Sequence, residues 1–247
     1  MGAVFSIPET SSGTEYSMNQ ARQRYLLSAA QFNTTHTRTS YVIGKRLMDI
    51  ILSATLLILL SPLLLLIALA IRMTSDGPAI LVQERIGKGG RIFPFFKFRS
   101  MYNNIDRSVD QRFAQAYVNG GSPLPVPHDG VFKPATDLRV TRIGRLLRKA
   151  SLDELPQLLN VLRGDMSLVG PRPSMPYEVE VYTAWHFQRL EALPGITGLA
   201  QISGRSSLPF REIVKFDLDY IERRSLLLDF AILLRTIPVV LSGHGAR

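Results

Sequence analysis

The sequence contains no cysteine, which excludes disulfides, thiolate zinc sites and Cys nucleophiles together. Histidine is almost as scarce. His36, His128, His186 and His244 lie far apart, so there is no HExxH-type zinc motif. Any metal bound here is expected to be a hard cation on oxygen ligands. Acidic residues are in deficit as well: 20 Asp and Glu face 29 Lys and Arg in 247 residues, a formal net charge of +9. Such a surplus suits a partner made of phosphates, whether nucleic acid, an anionic membrane face or a phosphorylated substrate. With 46% hydrophobic residues the chain is too apolar to be disordered, and it is long enough for one large domain or two small ones.

Charge is also missing from one long stretch. No charged residue occurs in the 22 positions from Ile50 to Ile71. As a straight helix at ~1.5 Å per residue this run reaches ~33 Å, enough to cross a bilayer core of ~30 Å. A buried soluble helix of this length would normally keep a polar face. Ser61-Pro62 sits near its midpoint, and proline kinks or breaks a helix by removing a donor and crowding the preceding turn. Both flanks are basic, with Arg38, Lys45 and Arg46 before the run and Arg72, Arg85, Lys88 and Arg91 after it. A spanning helix should show positive bias on one side only. The expectation is a re-entrant hairpin bent at Ser61-Pro62, with both ends on the cytoplasmic face.

Residues 1–40 are rich in Ser, Thr, Asn and Gln and read as a flexible polar tail without the features of a signal peptide. Met1-Gly2-Ala3-Val4-Phe5-Ser6 fits the myristoylation pattern, a six-residue match attributed to chance. Leu226–Leu241 is apolar but carries Asp229 and Arg235, so it reads as an amphipathic helix in the interface or packed on the domain. A Gly- and Pro-rich loop, Asn119 to Pro134, reads as a surface excursion.

The densest chemistry lies between Asp137 and Pro173. In Thr141–Ala150, Ile143, Leu146, Leu147 and Ala150 share one helical face. Arg142, Arg145 and Lys149 form another stripe, with Arg148 beside it, and this stripe leads into Ser151-Leu152-Asp153-Glu154-Leu155-Pro156. Ser151 and Glu154 match a capping box, and on local sequence alone helix capping is the favoured reading. Pro156 fits better if the cap shifts to Asp153. The functional reading is that two adjacent carboxylates beside Arg145, Arg148 and Lys149 form a place where Mg²⁺ and phosphate meet. One carboxylate would attack phosphorus and the other would hold the metal. Attack of an anion on an anion needs that cationic compensation.

Downstream, Pro171 and Pro173 bracket Arg172. Two fixed prolines restrict the arginine to extended backbone, a rigid mount suited to gripping phosphate oxygens, though a plain loop arginine explains it equally. Phe95-Phe96-Lys97-Phe98-Arg99 alternates aromatic and basic residues, as in a strand at a membrane face or a base-stacking platform. Pro194 to Arg205, PGITGLAQISGR, is a Gly-rich loop that lines a nucleotide or sugar pocket or simply makes turns; it fits neither the P-loop nor the Rossmann fingerprint.

Together these segments resemble the bacterial sugar transferases known as monotopic phosphoglycosyl transferases, particularly those that prime exopolysaccharide synthesis. The matching pieces are KRLMDI, SP within the apolar run, QERIGKGGRIFPFFKFRSM, RIGRLLRKASLDELPQLLNVLRGDMSLVGPRP, PGITGLAQISGR and DLDYIERRSLLLDFAILLRTI, in the family's order from about Tyr41 to Leu241. The resemblance implies transfer of a hexose 1-phosphate, glucose or galactose, from a UDP-sugar to undecaprenyl phosphate, with release of UMP. It implies Asp153 as nucleophile and Glu154, with Asp153 beside it, as the Mg²⁺ site. Arg148 and Arg172 match phosphate-holding positions, and Lys97 matches a basic residue facing the site. Three departures occur: Leu138 stands for the proline of DPR, Arg224 for a Trp, and Leu199-Ala200 lacks the common tryptophan.

The implied architecture is an α-rich α/β fold at the bacterial inner membrane, with the active site on the cytoplasmic face. It comprises the tail 1–40, a re-entrant helix over 41–72 and a compact catalytic domain over 73–247, with an insertion near 103–135. Two other classes compete. A membrane-attached basic adaptor for nucleic acid or acidic lipid leaves Asp153 and Glu154 without a role, so nucleic acid is not the expected partner. An enzyme without a covalent step would use Asp153 as general base.

Overall fold

The structure, a computed structural model, describes residues 23–27, 39–102, 108–120, 139–204 and 207–242. Most of the polar tail, most of the 119–134 loop, Leu138 and Arg205 lie outside these residues. The dominant element is one α-helix of 36 residues, α1, Thr39–Thr74, long and apolar enough by composition to cross a membrane and little buried. It runs on through Ser61-Pro62, so its halves belong to one helix rather than to two joined by a loop. Pro62 has no N–H for the carbonyl of Ile58, four residues back. The Ser61 hydroxyl supplies the missing donor at 2.8 Å. In lipid an orphaned carbonyl has no water to turn to, so serine before proline keeps the helix satisfied.

The remaining elements follow as a β-hairpin, β1 (Ile80–Ile86) and β2 (Ile92–Phe98), then α2 (Ser108–Val118), α3 (Arg142–Lys149) and a 3₁₀ turn, Leu152–Glu154. After these come α4 (Gln157–Arg163), β3 (Ser167–Val169), α5 (Pro176–Val179), α6 (Ala184–Phe187) and β4 (Gly195–Thr197). The chain closes with α7 (Leu199–Ser203), α8 (Phe210–Arg223) and α9 (Leu226–Ser242). Among the described residues, β1 pairs β2 antiparallel and β3 pairs β4 parallel. The fold is helix-rich with two small sheets, in line with the α-rich expectation.

Both ends of α1 dock on this domain. Tyr41, Lys45 and Asp49 fall on one helical stripe at four-residue spacing. Lys45 meets Asp229 of α9 at 2.9 Å, and Asp229 also accepts from Tyr41 at 3.0 Å and from Tyr220 of α8 at 2.7 Å. Asp229 is fully buried, and removing one partner of such a buried pair costs about 3–5 kcal/mol. Asp49 accepts from the Ser167 hydroxyl and the Leu168 N–H, both at 3.0 Å. Arg46 donates to the carbonyls of Val161 (2.6 Å) and Leu162 (2.7 Å), placing a cation at the C-terminal end of α4. Lys45 and Arg46 are therefore clamps as well as flanking charges. At the other end Ile67 and Ile71 pack with Phe98 and Leu147. Between the clamps, Ile58, Leu59, Leu65 and Leu66 are each more than 60% exposed, and they flank Ser61-Pro62.

The main core joins Phe93 and Phe95 of β2, Leu158 and Val161 of α4, Leu168 and Val169 of β3, Tyr220 and Ile221 of α8, and Ile232 of α9. Phe93, Phe95 and Phe98 are buried, which removes them from any base-stacking platform; Phe93 and Phe95 share the strand face turned to the main core, while Phe98 packs on the other face against Ile67 and Ile71. A second, aromatic cluster forms around Tyr182, Phe187 and Phe210. Residues 23–27 make a helical turn seated on it, with Arg24 donating to the carbonyls of Glu180 (2.5 Å) and Tyr182 (2.7 Å). That short stretch is docked, not a free tail. Within the expected insertion, α2 buries Val118 in the same cluster. On α3, Ile143 and Leu147 pack inward while Leu146 of the expected apolar face is 65% exposed. Its place is taken by Gly144, where a Cβ would lie 2.0 Å from the Ser100 carbonyl oxygen.

Candidate functional site

The paired acids stand on a tight reversal between α3 and α4. Ser151 has φ 55° and ψ 20°, the one non-glycine residue with positive φ among the described residues. Left-handed backbone at such a residue costs about 1–3 kcal/mol and persists only where its surroundings enforce it. The Ser151 N–H donates back to the Arg148 carbonyl at 3.0 Å, ending α3 there. The capping box expected at Ser151 does not form: its side chain caps nothing, because its backbone has turned out of the cap conformation. Glu154 faces the other way, to Arg172. Pro156, at φ −60°, sits just before α4, where its missing N–H costs little.

Asp153 and Glu154 are both partly buried. Arg172 Nη1 donates to Glu154 Oε1 at 2.9 Å. Lys97 of β2, Arg148 of α3 and Arg172 all act on Asp153. Their effects differ. Burial, with Glu154 alongside, pushes the Asp153 carboxyl above its ordinary value, and the three cations only partly offset this. Burial also raises Glu154, but Arg172 in contact, with Lys97 and Arg85 nearby, outweighs it and holds that carboxyl below its usual range. Adjacent carboxylates driven apart in this way are a mark of divided chemical roles. Of the expected site residues, Lys97, Arg148, Arg172, Asp153 and Glu154 converge. Arg145 does not join them; it is exposed on α3, and no described contact ties it to either acid.

Three buried residues the sequence did not single out as functional hold Arg172 in place. Arg85 donates to the Pro173 carbonyl at 3.1 Å and lies 4.9 Å over the Phe95 ring. Burial, with Arg172 close by, lowers its pKa to about 10. Arg189 donates to the Arg172 carbonyl (3.3 Å) and the Tyr182 hydroxyl (2.8 Å), and pairs with Asp217 at 2.6 Å. The backbone of 171–173 is thus gripped from two sides while the Arg172 side chain stays about half exposed. Arg148 is steadied by its Nε donating to Ser100 Oγ at 2.9 Å. The Gly-rich segment after Pro194 serves this scaffold too. Gly195 and Gly198 press against Gly170, backbone to backbone, where any Cβ would clash.

The raised Asp153 pKa has a measurable sign. If its carboxylate is the working form, activity falls as pH drops through that raised pKa, so the acid limb of a kcat/KM profile lies above the ordinary aspartate range. Glu154→Gln removes the neighbouring negative charge and moves that limb to lower pH, whereas Arg148→Gln moves it higher. A profile with no acid limb above that range in the unmodified protein would contradict the assignment.

A helix long and apolar enough to cross a membrane is clamped to a domain whose acid pair, ringed by lysine and arginine, makes a site suited to anionic phosphates. The profile of the bacterial sugar transferases matches residues 40–243, and the chain belongs to that family. It is 44% identical over 82% of its length to an undecaprenyl-phosphate galactose phosphotransferase of Salmonella typhimurium, spanning 41% of that protein. It is 42% identical over 85% of its length to a UDP-glucose:undecaprenyl-phosphate glucose-1-phosphate transferase of Caulobacter vibrioides, spanning 74% of it. An exopolysaccharide production protein of Sinorhizobium fredii is 41% identical over 83% of the chain and is spanned to 88%. The chain therefore covers less than half of one relative and most of the other two.

Proposed function

We propose that the chain transfers glucose or galactose 1-phosphate from a UDP-sugar to undecaprenyl phosphate, releasing UMP, as the first step of exopolysaccharide repeat-unit assembly. The observation that carries the reading is the split acid pair: an Asp153 raised in basicity beside a Glu154 kept anionic by Arg172. An Asp153 oxygen attacks the sugar-bearing phosphorus of the diphosphate. The P–O bond to the uridylyl phosphate breaks, and UMP departs with the bonding electrons. An oxygen of the lipid phosphate then attacks the same phosphorus, breaking the acyl–phosphate bond and returning the Asp153 carboxylate. Lys97, Arg148 and Arg172 hold the phosphate oxygens and offset charge that builds on them.

The donor set fits Mg²⁺. Two adjacent carboxylates supply hard oxygens, and no group of three His, Cys, Asp or Glu that could hold a metal is present among the described residues. Mg²⁺ characteristically takes one or two carboxylates and completes its shell with water and substrate phosphates. Glu154 and Asp153 would hold it, and it would supply charge neutralisation on the diphosphate.

The anchor is read as re-entrant, at the cytoplasmic face of the inner membrane. Supporting this, Lys45, Arg46 and Asp49 on one side of Ser61-Pro62 and Ile67 and Ile71 on the other all touch the same domain. Ile58, Leu59, Leu65 and Leu66, all strongly exposed, lie between them. A helix crossing ~30 Å of hydrocarbon would have to part from the domain at one end. The direct test of the chemistry is UDP-sugar labelled in the sugar, mixed with the protein without lipid. A phosphosugar adduct on the Asp153 peptide, formed with one equivalent of UMP, is expected. Turnover with lipid phosphate but no adduct would instead favour Asp153 as general base.

A further inference from the structure

The helical turn at 23–27 lies outside the residues matched by the family profile, which begin at position 40, yet it is docked on the domain that holds the site. The carbonyls of Glu180 and Tyr182 come just past the end of α5, where the helix no longer supplies partners. Arg24 takes both with its fork, Nη1 to Glu180 at 2.5 Å and Nη2 to Tyr182 at 2.7 Å. Its guanidinium also lies 5.7 Å from the Phe187 ring centroid, and the Tyr25 ring packs on the same phenylalanine at 6.4 Å.

Tyr182 joins this turn to the phosphate-facing arginine. Its ring is buried, with Phe187 and Phe210 each 5.8 Å away. Its hydroxyl meets Arg189 Nη1 and Ser174 Oγ, both at 2.8 Å, and Arg189 Nη2 donates to the Arg172 carbonyl at 3.3 Å. One residue is therefore held at its backbone by the N-terminal turn and at its hydroxyl by the group that grips Arg172. The Arg172 side chain is about half exposed, with little packing to aim it, so its direction depends on the backbone beneath it.

We propose that the 23–27 turn braces the arginine mount, with Arg24 a positioning residue that acts on phosphate binding through Tyr182, Arg189 and Arg172. It rests on the reading of Arg172 as a group that holds the diphosphate. Loss of Arg24 does not free α5 altogether, because Gln115 of α2 still donates to the Tyr177 carbonyl at 3.3 Å. What goes is the hold on Tyr182, and slack there passes along the buried hydrogen bonds to Arg172. A small misplacement far from the chemistry is enough to weaken a grip that depends on geometry.

The test uses the full chain in nanodiscs and compares Arg24→Ala with Leu27→Ala, a side chain 73% exposed on the same turn. In Arg24→Ala the KM for UDP-glucose or UDP-galactose, whichever turns over, is expected to rise about fivefold with a smaller change in kcat. Leu27→Ala should match the unmodified protein, and Arg24→Lys, which keeps the charge but not the fork, should fall between the two. In an Arg172→Lys background, Arg24→Ala should add nothing further to KM. A full additional rise there overturns the brace, as does a KM unmoved by Arg24→Ala alone. Hydrogen exchange reads the mount without any substrate. The Ile86 and Gly195 amides donate to the Ser174 and Pro171 carbonyls, at 2.9 and 2.8 Å, and should exchange faster in Arg24→Ala. The Gly164 amide, bonded to Asn160 at 3.1 Å, should keep its rate. Unchanged exchange at all three overturns the brace whatever the substrate is. Faster exchange at the mount, in a protein whose unmodified form releases no UMP, would overturn the transferase reading and leave the brace standing.

Discussion

Asp153→Asn is expected to abolish product formation and at the same time to raise the melting midpoint. The amide keeps the shape of the side chain but cannot form an acyl phosphate, so turnover should fall by about 10³-fold or more, as for loss of other covalent nucleophiles. The stability effect follows from the direction of the pKa shift. Burial and Glu154 raise the Asp153 carboxyl, so the folded chain binds that proton more tightly than the unfolded chain. Between the ordinary aspartate value and the raised one, stability falls as pH rises; above the raised value the penalty is fully present. A neutral amide removes it at neutral pH. Glu154→Gln should do the opposite. The folded state holds Glu154 as an anion against Arg172, and that stabilisation is present at neutral pH and lost as pH falls through the depressed value. The melting midpoint should therefore drop, along with activity. Neighbouring acids are predicted to move stability in opposite directions. Retained turnover in Asp153→Asn would end the nucleophile assignment, and parallel drops in both midpoints would end the division of roles.

Much of this site was legible in the sequence because its parts are local. Asp153, Glu154 and Arg148 lie within six positions, and the proline bracket around Arg172 announces a constrained guanidinium. Lys97 came only through the family resemblance, since the aromatic and basic alternation around it pointed to a membrane-face strand or a stacking platform. What the sequence could not supply was the long-range accounting. Arg85, Arg189 and Asp217 are buried charges whose partners are backbone carbonyls and each other, and no spacing rule reveals which loop they grip. The capping box failed for a related reason: a four-residue pattern predicts a cap, but Arg172 competes for Glu154 across eighteen positions and a left-handed Ser151 redirects the chain. Lys45 and Arg46 read as flanking charge because their acceptors, Asp229 and the end of α4, are more than a hundred residues away. The glycines at 144, 170 and 195 carry no periodic signal at all, since their role is to bring backbones together.

Those glycines give the second large expected effect. In Gly195→Ala the new methyl group would lie 2.1 Å from the Gly170 nitrogen and 2.4 Å from the Thr197 carbonyl oxygen. Both are backbone atoms, and no rotamer relieves the contact. The strands must part, breaking hydrogen bonds that hold the arginine mount: Gly170 N–H to the Thr197 carbonyl (2.9 Å) and Gly195 N–H to the Pro171 carbonyl (2.8 Å). Overpacking of this kind costs about 1–3 kcal/mol and more where nothing can yield; the upper end is expected here. Because the displaced strand runs directly into Pro171-Arg172-Pro173, phosphate binding should weaken too, seen as a raised KM for the UDP-sugar in whatever protein still folds. Gly89→Ala is the matched comparison. There the methyl group meets nothing within 4 Å, and only the φ of +67° resists it, at about 1 kcal/mol. Urea midpoints should separate the two variants clearly, with activity retained in Gly89→Ala. Equal midpoints would mean that the contact of 170 with 195 does not hold the arginine mount, which would then rest on its prolines and on the grips of Arg85 and Arg189.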